Sequence, residues 1–166
     1  GRSQAIEREA VKPVDPDVLE ATLDHLRPVI ADMVQIQRLT GMRPGELCRL
    51  TPDEISRTDE IWLYEPGDHK MQHKEQQRLI AIGPKAQNIL QKYLFGAFCF
   101  SGLRGNQITV EAYRDAIHRG CEKAGVDNWN PNQLRHNAAT EIRRQFSLEA
   151  ARAVLSHSDA TTTKIY

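Results

Sequence analysis

The stretch GMRPGEL (residues 41–47) joins two predicted helices and places an arginine between them. Gly41 follows the amphipathic segment VIADMVQIQRL, and glycine is common just past a helix end. Pro44 suits the first turn of a new helix, so PGELCRL is predicted to be a short third helix. Arg43 then lies where a side chain can point into a cleft, and Glu46 could hold its guanidinium by a bidentate pair. An R-x-x-E pair also occurs on ordinary helix surfaces, so this segment alone assigns no function.

The rest of the chain predicts further helices around one small sheet. Apolar residues recur at helical spacing in DVLEATLDHL after Pro16, and proline or threonine begins PKAQNILQKYL, TVEAYRDAIHRGCEKAG and PNQLRHNAATEIRRQF. LEAARAVLSH is predicted to be the last helix. IWLYEP (61–66) and QRLIAI (77–82) have strand character and predict a β-hairpin, with a third strand as an alternative. The predicted class is therefore mainly α with a small antiparallel β-sheet (α+β).

Composition limits the function classes. The 166 residues suit one domain, and no apolar run approaches the roughly 18 residues that cross a bilayer. Three cysteines without CxxC spacing indicate reduced, buried thiols and a cytoplasmic protein. The net charge is zero, but residues 1–60 carry 8 Lys/Arg against 12 Asp/Glu, while residues 61–166 carry 14 against 10. This asymmetry favours an anion-binding site on the C-terminal part.

Two further motifs carry residues suited to such a site. In NPNQLRHNAATEIRR, Arg135 and His136 fall in the first turns of a helix, whose N-terminus attracts anions. Arg143 and Arg144 are predicted to be ordinary surface charges. In LSHSDATTTKIY, His157 and Tyr166 stand nine positions apart, and each alone is more typical of packing than of catalysis.

Taken in order, these motifs resemble the tyrosine recombinase (phage integrase) family. The order is TGMRPGEL, a hairpin lysine, PNQLRH, LSHS, and a tyrosine nine residues after the histidine. The resemblance implies that family's DNA breaking-rejoining catalytic-domain fold over residues 13–166. Residues 1–12 are then a linker or tag remnant. The family's N-terminal core-binding domain and its segment beyond the tyrosine are expected to be absent.

The resemblance also implies a catalytic role for particular residues. Arg43 and Arg135 match the two catalytic arginines, and Tyr166 matches the nucleophile. His157 matches the histidine of the family's L-G-H-S motif, although Ser156 replaces the glycine. Lys70 falls where the family places a catalytic lysine on a hairpin, with Lys74 as the alternative.

The resemblance implies one further catalytic position and several residues around it. Asn132 stands at that catalytic position, where the family usually has histidine, and an amide can donate to a phosphate but cannot shuttle a proton at neutral pH. Glu46 is expected to support Arg43, and Lys74 and Arg78 are expected to bind DNA. His136 is expected to be structural.

The implied reaction is transesterification at a DNA phosphodiester, without metal or nucleotide cofactor, through a 3′-phosphotyrosyl intermediate. The implied partners are double-stranded DNA and further copies of the protein, dimer to tetramer at full length, and no membrane. Two alternatives are a type IB topoisomerase-like relaxation of DNA and a DNA-binding module that has lost catalysis. A metal site at His69 and His73 is rejected, because i, i+4 spacing on a hairpin does not put both on one face.

Overall fold

Six α-helices and a three-stranded sheet make up the part of the chain that the structure describes. The computed structural model describes residues 11–67 and 78–145. The helices are α1 (Pro16–Leu23), α2 (Pro28–Thr40), α3 (Pro44–Cys48), α4 (Pro84–Leu90), α5 (Val110–Ala124) and α6 (Gln133–Gln145). The strands are β1 (Ile55–Ser56), β2 (Trp62–Tyr64) and β3 (Ile80–Ile82). The predicted class, mainly α with a small antiparallel sheet, is confirmed.

Helix boundaries follow the capping residues of the sequence. The Asp15 carboxylate accepts from the N–H of Asp17 at the start of α1, and the Thr109 hydroxyl accepts from the third residue of α5. Gly41 and Gly125 end α2 and α5 with φ of 73° and 68°, a left-handed conformation that costs glycine little. The predicted ends of α2 and α5 are therefore confirmed.

Three helices are shorter than predicted. The helix after Pro16 was expected to run to Leu26 but ends at Leu23, where the chain tightens into i→i−3 hydrogen bonds. Pro28 begins the next helix and disfavours helical geometry at the residue before it. The third helix ends at Cys48, and α4 gives way to a 3₁₀ turn at Gln91–Tyr93. The predicted helix LEAARAVLSH lies outside the described residues.

The sheet has the order β1-β2-β3, with both pairs antiparallel. Tyr64 pairs with Ile55 on one side and with Ile80 on the other. The alternative of a third strand is therefore confirmed, and that strand precedes the hairpin. Residues 80–82 are all buried, so β3 faces protein on both sides.

Helix α2 is the central element of the core. It packs against α6, α4, α5 and β3, and its residues Ile30, Met33, Val34 and Ile36 are almost fully buried. The length of α2, about 20 Å at 1.5 Å per residue, separates its N-terminal end from the turn that follows Thr40.

Among the helices described, none is long and apolar enough to cross a membrane.

The three cysteines are buried and unbridged, as predicted. Burial raises the pKa of both the Cys48 and the Cys99 thiols to about 12. At neutral pH these two thiols are protonated and behave as small apolar side chains.

One buried polar pair crosses this core. The fully buried Gln37 of α2 accepts from the hydroxyl of Tyr113 on α5 at 2.9 Å and donates to the carbonyl of Met42 at 3.0 Å. Both ends of the amide are thus paired, as burial of a polar group requires. The pair fixes α5 and the turn after α2 to the same side chain.

The first described residues are bound to α6. The Asn137 side chain accepts from the N–H of Val14 at 2.8 Å and donates to the carbonyl of Val14 at 2.9 Å. Gln133, one turn earlier, donates to the carbonyl of Lys12 at 3.0 Å. The backbone at the predicted end of the linker is therefore held along α6.

Tyr113→Phe tests the buried pair. The substitution leaves the Gln37 carbonyl oxygen buried without its donor, and we expect a loss of about 1–2 kcal/mol in the free energy of unfolding, measured by urea denaturation. Gln37→Met should make a later Tyr113→Phe less costly, because the acceptor is then gone. Equal cost in both backgrounds would contradict the pairing.

Candidate functional site

The turn between α2 and α3 carries the first candidate residue, Arg43. We call residues Thr40–Glu46 the arginine turn. Gly41 reverses the chain in the left-handed conformation, and its N–H donates to the carbonyl of Gln37 at 2.8 Å. Arg43 is extended (φ −68°, ψ 148°) and caps α3, because Pro44 occupies the first helical position. Arg43 is half-buried, between one helix end and the next helix start, as predicted.

Side chains from several elements fix the backbone of this turn. Gln37 donates to the carbonyl of Met42, and the Thr40 hydroxyl accepts from the N–H of Met42 at 3.3 Å. From the sheet, the Tyr64 hydroxyl donates to the carbonyl of Glu46 at 2.9 Å. The position of Arg43 is therefore set by contacts that the turn makes with its surroundings.

Glu46 contacts two different parts of the structure. Its carboxylate accepts from the backbone N–H of Arg43 at 2.8 Å through Oε1. Its Oε2 lies 2.5 Å from the Nε of Arg78, just before β3. Only 5% of the Glu46 side chain and 13% of the Arg78 side chain are exposed. Glu46 thus supports Arg43 through its main chain, and the DNA-binding role of Arg78 stays a prediction.

The second candidate residue, Arg135, reaches the same turn from α6. Its Nε donates to the carbonyl of Gly41 at 3.1 Å, across 94 residues of chain. The residue is only 7% exposed. A guanidinium offers five donors in a plane, so one contact with the turn does not exhaust its capacity. The structure thus brings Arg135 against the turn that carries Arg43.

Helix α6 begins with a turn that Asn130 initiates. The Gln133 side chain accepts from the N–H of Asn130 at 2.9 Å, and Pro131 lies inside this first turn. Asn132 is exposed at the end of the helix where backbone N–H groups and the dipole favour an anion. The amide is therefore accessible to a ligand at the position predicted for it.

His136 follows Arg135 and is half-buried. Burial, and then the positive charge of Arg135, lower the pKa of its imidazole. The ring is consequently neutral at neutral pH. A neutral ring fits the structural role predicted for His136.

The remaining predicted residues, Lys70, Lys74, His157 and Tyr166, lie outside the described residues. Within residues 11–67 and 78–145, no cluster of three or more His, Cys, Asp or Glu side chains is arranged to hold a metal ion.

Sequence reasoning missed the supporting residues Gln37, Tyr64 and Tyr113. One signal was present, since Gln37 is a polar residue on the apolar face of α2. Its partners could not be identified from that signal, because Tyr113 is 76 residues away.

The sequence of this chain matches that of a known protein family. The model of the family described as "Phage integrase family" matches residues 12–166, nearly the whole chain. The chain belongs to the phage integrase family. The arginine turn, the start of α6 and the four undescribed candidate residues all fall within the matched range.

Named relatives of this phage integrase family chain are tyrosine recombinases. The tyrosine recombinase XerC of Bifidobacterium longum subsp. infantis is 40% identical over 155 residues, which cover 82% of this chain and 42% of the relative. XerC of Corynebacterium efficiens is 28% identical over 144 residues, covering 81% of this chain and 44% of the relative. The chain thus spans less than half the length of these two relatives.

A solved structure of lambda integrase bound to DNA has the same fold. It superposes with a TM-score of 0.73 at 18% identity, covering 95% of this chain and 60% of that one. The predicted tyrosine recombinase catalytic-domain fold is thereby confirmed.

Arg135→Lys tests the contact between α6 and the arginine turn. A lysine puts one point charge where a planar guanidinium donates to the carbonyl of Gly41, so we expect a loss of about 2 kcal/mol in the free energy of unfolding. Urea denaturation measures it. Arg144→Lys is the matched control, since Arg144 is 75% exposed on the same helix. Equal stability of the two variants would argue against the contact.

Proposed function

We propose that this chain is the catalytic part of a site-specific DNA recombinase. It cleaves and rejoins DNA strands without metal or nucleotide cofactor, through a 3′-phosphotyrosyl intermediate. One observation carries the proposal: Arg135 donates to the carbonyl of Gly41 and so lies against the turn of Arg43. Two arginines far apart in sequence thus meet at one turn, in a chain of the phage integrase family.

The reaction needs positive charge at a phosphate. The Tyr166 hydroxyl attacks phosphorus, a phosphorus–oxygen bond to tyrosine forms, and the bond to the 5′-oxygen breaks. Negative charge gathers on the non-bridging oxygens, where Arg43, Arg135 and His157 donate. Each such preorganised donor typically contributes about 3 kcal/mol to transition-state stabilisation. Ligation reverses the step with a 5′-hydroxyl, so no external energy source is required.

Two proton transfers accompany these bond changes. An ordinary tyrosine, of pKa near 10, is about one part in a thousand ionised at neutral pH, so its proton must pass to water or to a nearby base as it attacks. The departing 5′-oxygen takes a proton from Lys70, with Lys74 as the alternative. Asn132, exposed at the start of α6, is suited to donate a hydrogen bond to a phosphate oxygen.

Double-stranded DNA and further copies of the protein are the proposed partners. The names of two relatives, the tyrosine recombinases XerC and XerD, support strand exchange as the role. A lambda integrase structure is described as a dimer bound to a core site, which supports assembly on DNA. Such a protein acts on DNA in the cytoplasm.

Tyr166→Phe tests the nucleophile. Phenylalanine lacks the attacking hydroxyl, so we expect no covalent adduct on a nicked suicide substrate, while DNA binding stays within a few-fold of the unmodified chain. Denaturing gels measure the adduct and gel shifts measure binding. Adducts at the original level would overturn the assignment. Binding without adduct from the unmodified chain would instead indicate a module that has lost catalysis.

Lys70→Ala and Lys74→Ala separate the two candidate general acids. A substrate with a 5′-bridging sulfur releases a thiolate, which needs no proton. We expect this substrate to restore cleavage by Lys70→Ala from a loss of about 10²–10³-fold to near the unsubstituted rate. Single-turnover adduct formation on both substrates is the measurement. Restoration of Lys74→Ala alone would move the role to Lys74.

A further inference from the structure

The buried carboxylate of Glu46 joins Arg78 to the arginine turn. One oxygen accepts from the N–H of Arg43 at 2.8 Å, and the other lies 2.5 Å from the Nε of Arg78. The carbonyl of Glu46 is held separately by the hydroxyl of Tyr64. Arg78 was predicted to bind DNA, yet its side chain is largely buried against this carboxylate.

We propose that Arg78 is a positioning residue for Arg43, acting through Glu46. The inference rests on the proposed function, because it assumes that Arg43 neutralises the scissile phosphate. A charged group is costly to bury unless an opposite charge lies nearby. Arg78 supplies that charge at one oxygen and leaves the other to accept from the main chain of Arg43.

The backbone of Arg43 depends on this carboxylate. Arg43 is the capping residue before Pro44, so the contact between its N–H and Glu46 fixes the chain where α3 begins. A guanidinium held on a displaced backbone meets its phosphate poorly, and misplacement by about 1 Å can cost 10²-fold in rate. Without Arg78, the buried carboxylate of Glu46 loses its countercharge, and we expect it to rotate toward water. That rotation weakens the hold on Arg43.

The chain offers a matched control for this pair. Arg38 and Glu20 also form an arginine–glutamate ion pair, with 3.2 Å between nitrogen and oxygen. The side chain of Arg38 is 36% exposed and that of Glu20 is 64% exposed. This pair does not contact the carboxylate of Glu46 in the arginine turn. Solvent-exposed ion pairs of this kind contribute little to the free energy of folding.

The test compares two substrates in single-turnover cleavage. One carries an ordinary scissile phosphodiester, and the other a neutral methylphosphonate that lacks one non-bridging negative charge. We expect Arg78→Met to cleave the phosphodiester about 10²-fold more slowly than the unmodified chain. On the methylphosphonate, Arg78→Met should be less than 10-fold slower than the unmodified chain. This substrate presents less negative charge for Arg43 to neutralise, so the position of Arg43 matters less. Arg38→Met should cleave both substrates at the original rates.

Further variants keep the test independent of folding. Arg78→Lys retains the countercharge, and we expect it to fold and to show a smaller version of the same substrate difference. Glu46→Gln should show the difference too, and the double variant Glu46→Gln/Arg78→Met should be no slower than Arg78→Met alone. Urea denaturation checks each variant, and only folded variants are compared.

Two outcomes would overturn the role of Arg78. One is an equal deficit of Arg78→Met on both substrates. The other is weaker DNA binding with a reduced salt dependence and an unchanged rate in the bound complex, which is the signature of a phosphate contact. Failure of the proposed function is distinguishable, since the unmodified chain would then form no adduct on the phosphodiester.

Discussion

The hydrogen bond from Arg135 to the carbonyl of Gly41 is the constraint on which the site depends. The carbonyls at the end of a helix have no partner inside it. Gly41 ends α2 by turning left-handed, and a guanidinium from α6 meets its carbonyl at 3.1 Å. A cation also suits the negative end of a helix dipole. The same contact therefore completes the end of α2 and fixes the distance between α6 and the arginine turn.

The other contacts of the site keep the backbone of the arginine turn in one conformation. The turn receives contacts from α2, from the sheet and from Arg78, two residues before β3, each through a different side chain. The amide of Gln37, which donates to the carbonyl of Met42 in this turn, is itself oriented by the hydroxyl of Tyr113. Preorganised donors cost no reorganisation when charge develops at a ligand, so this rigidity suits the proposed reaction at a phosphate.

Much of this could be predicted from sequence because prolines and glycines mark the helix boundaries. Gly41 and Pro44 alone placed Arg43 between two helices, and the position of Arg135 at the start of α6 followed from a proline. The early end of α1 was missed, because the apolar spacing continues to Leu26, past the residue Leu23 at which the helix ends. The contact between Glu46 and Arg78 was also missed, since no local pattern shows that Arg78 will fold back onto this carboxylate. Residues that act through long-range contacts leave little trace in the sequence around them.

The pair of hydrogen bonds between Val14 and α6 responds to salt differently from the ion pairs of the structure. It is made by the uncharged amide of Asn137, which donates to and accepts from one residue's main chain. Ionic strength screens exposed ion pairs such as Arg38 with Glu20, but it has little effect on an amide pair. Raising the salt concentration would therefore weaken the proposed contacts of arginines with phosphate, while Val14 stays bound to α6, the helix that carries Arg135. The helix keeps its alignment with the incoming backbone under conditions in which a nucleic acid would dissociate.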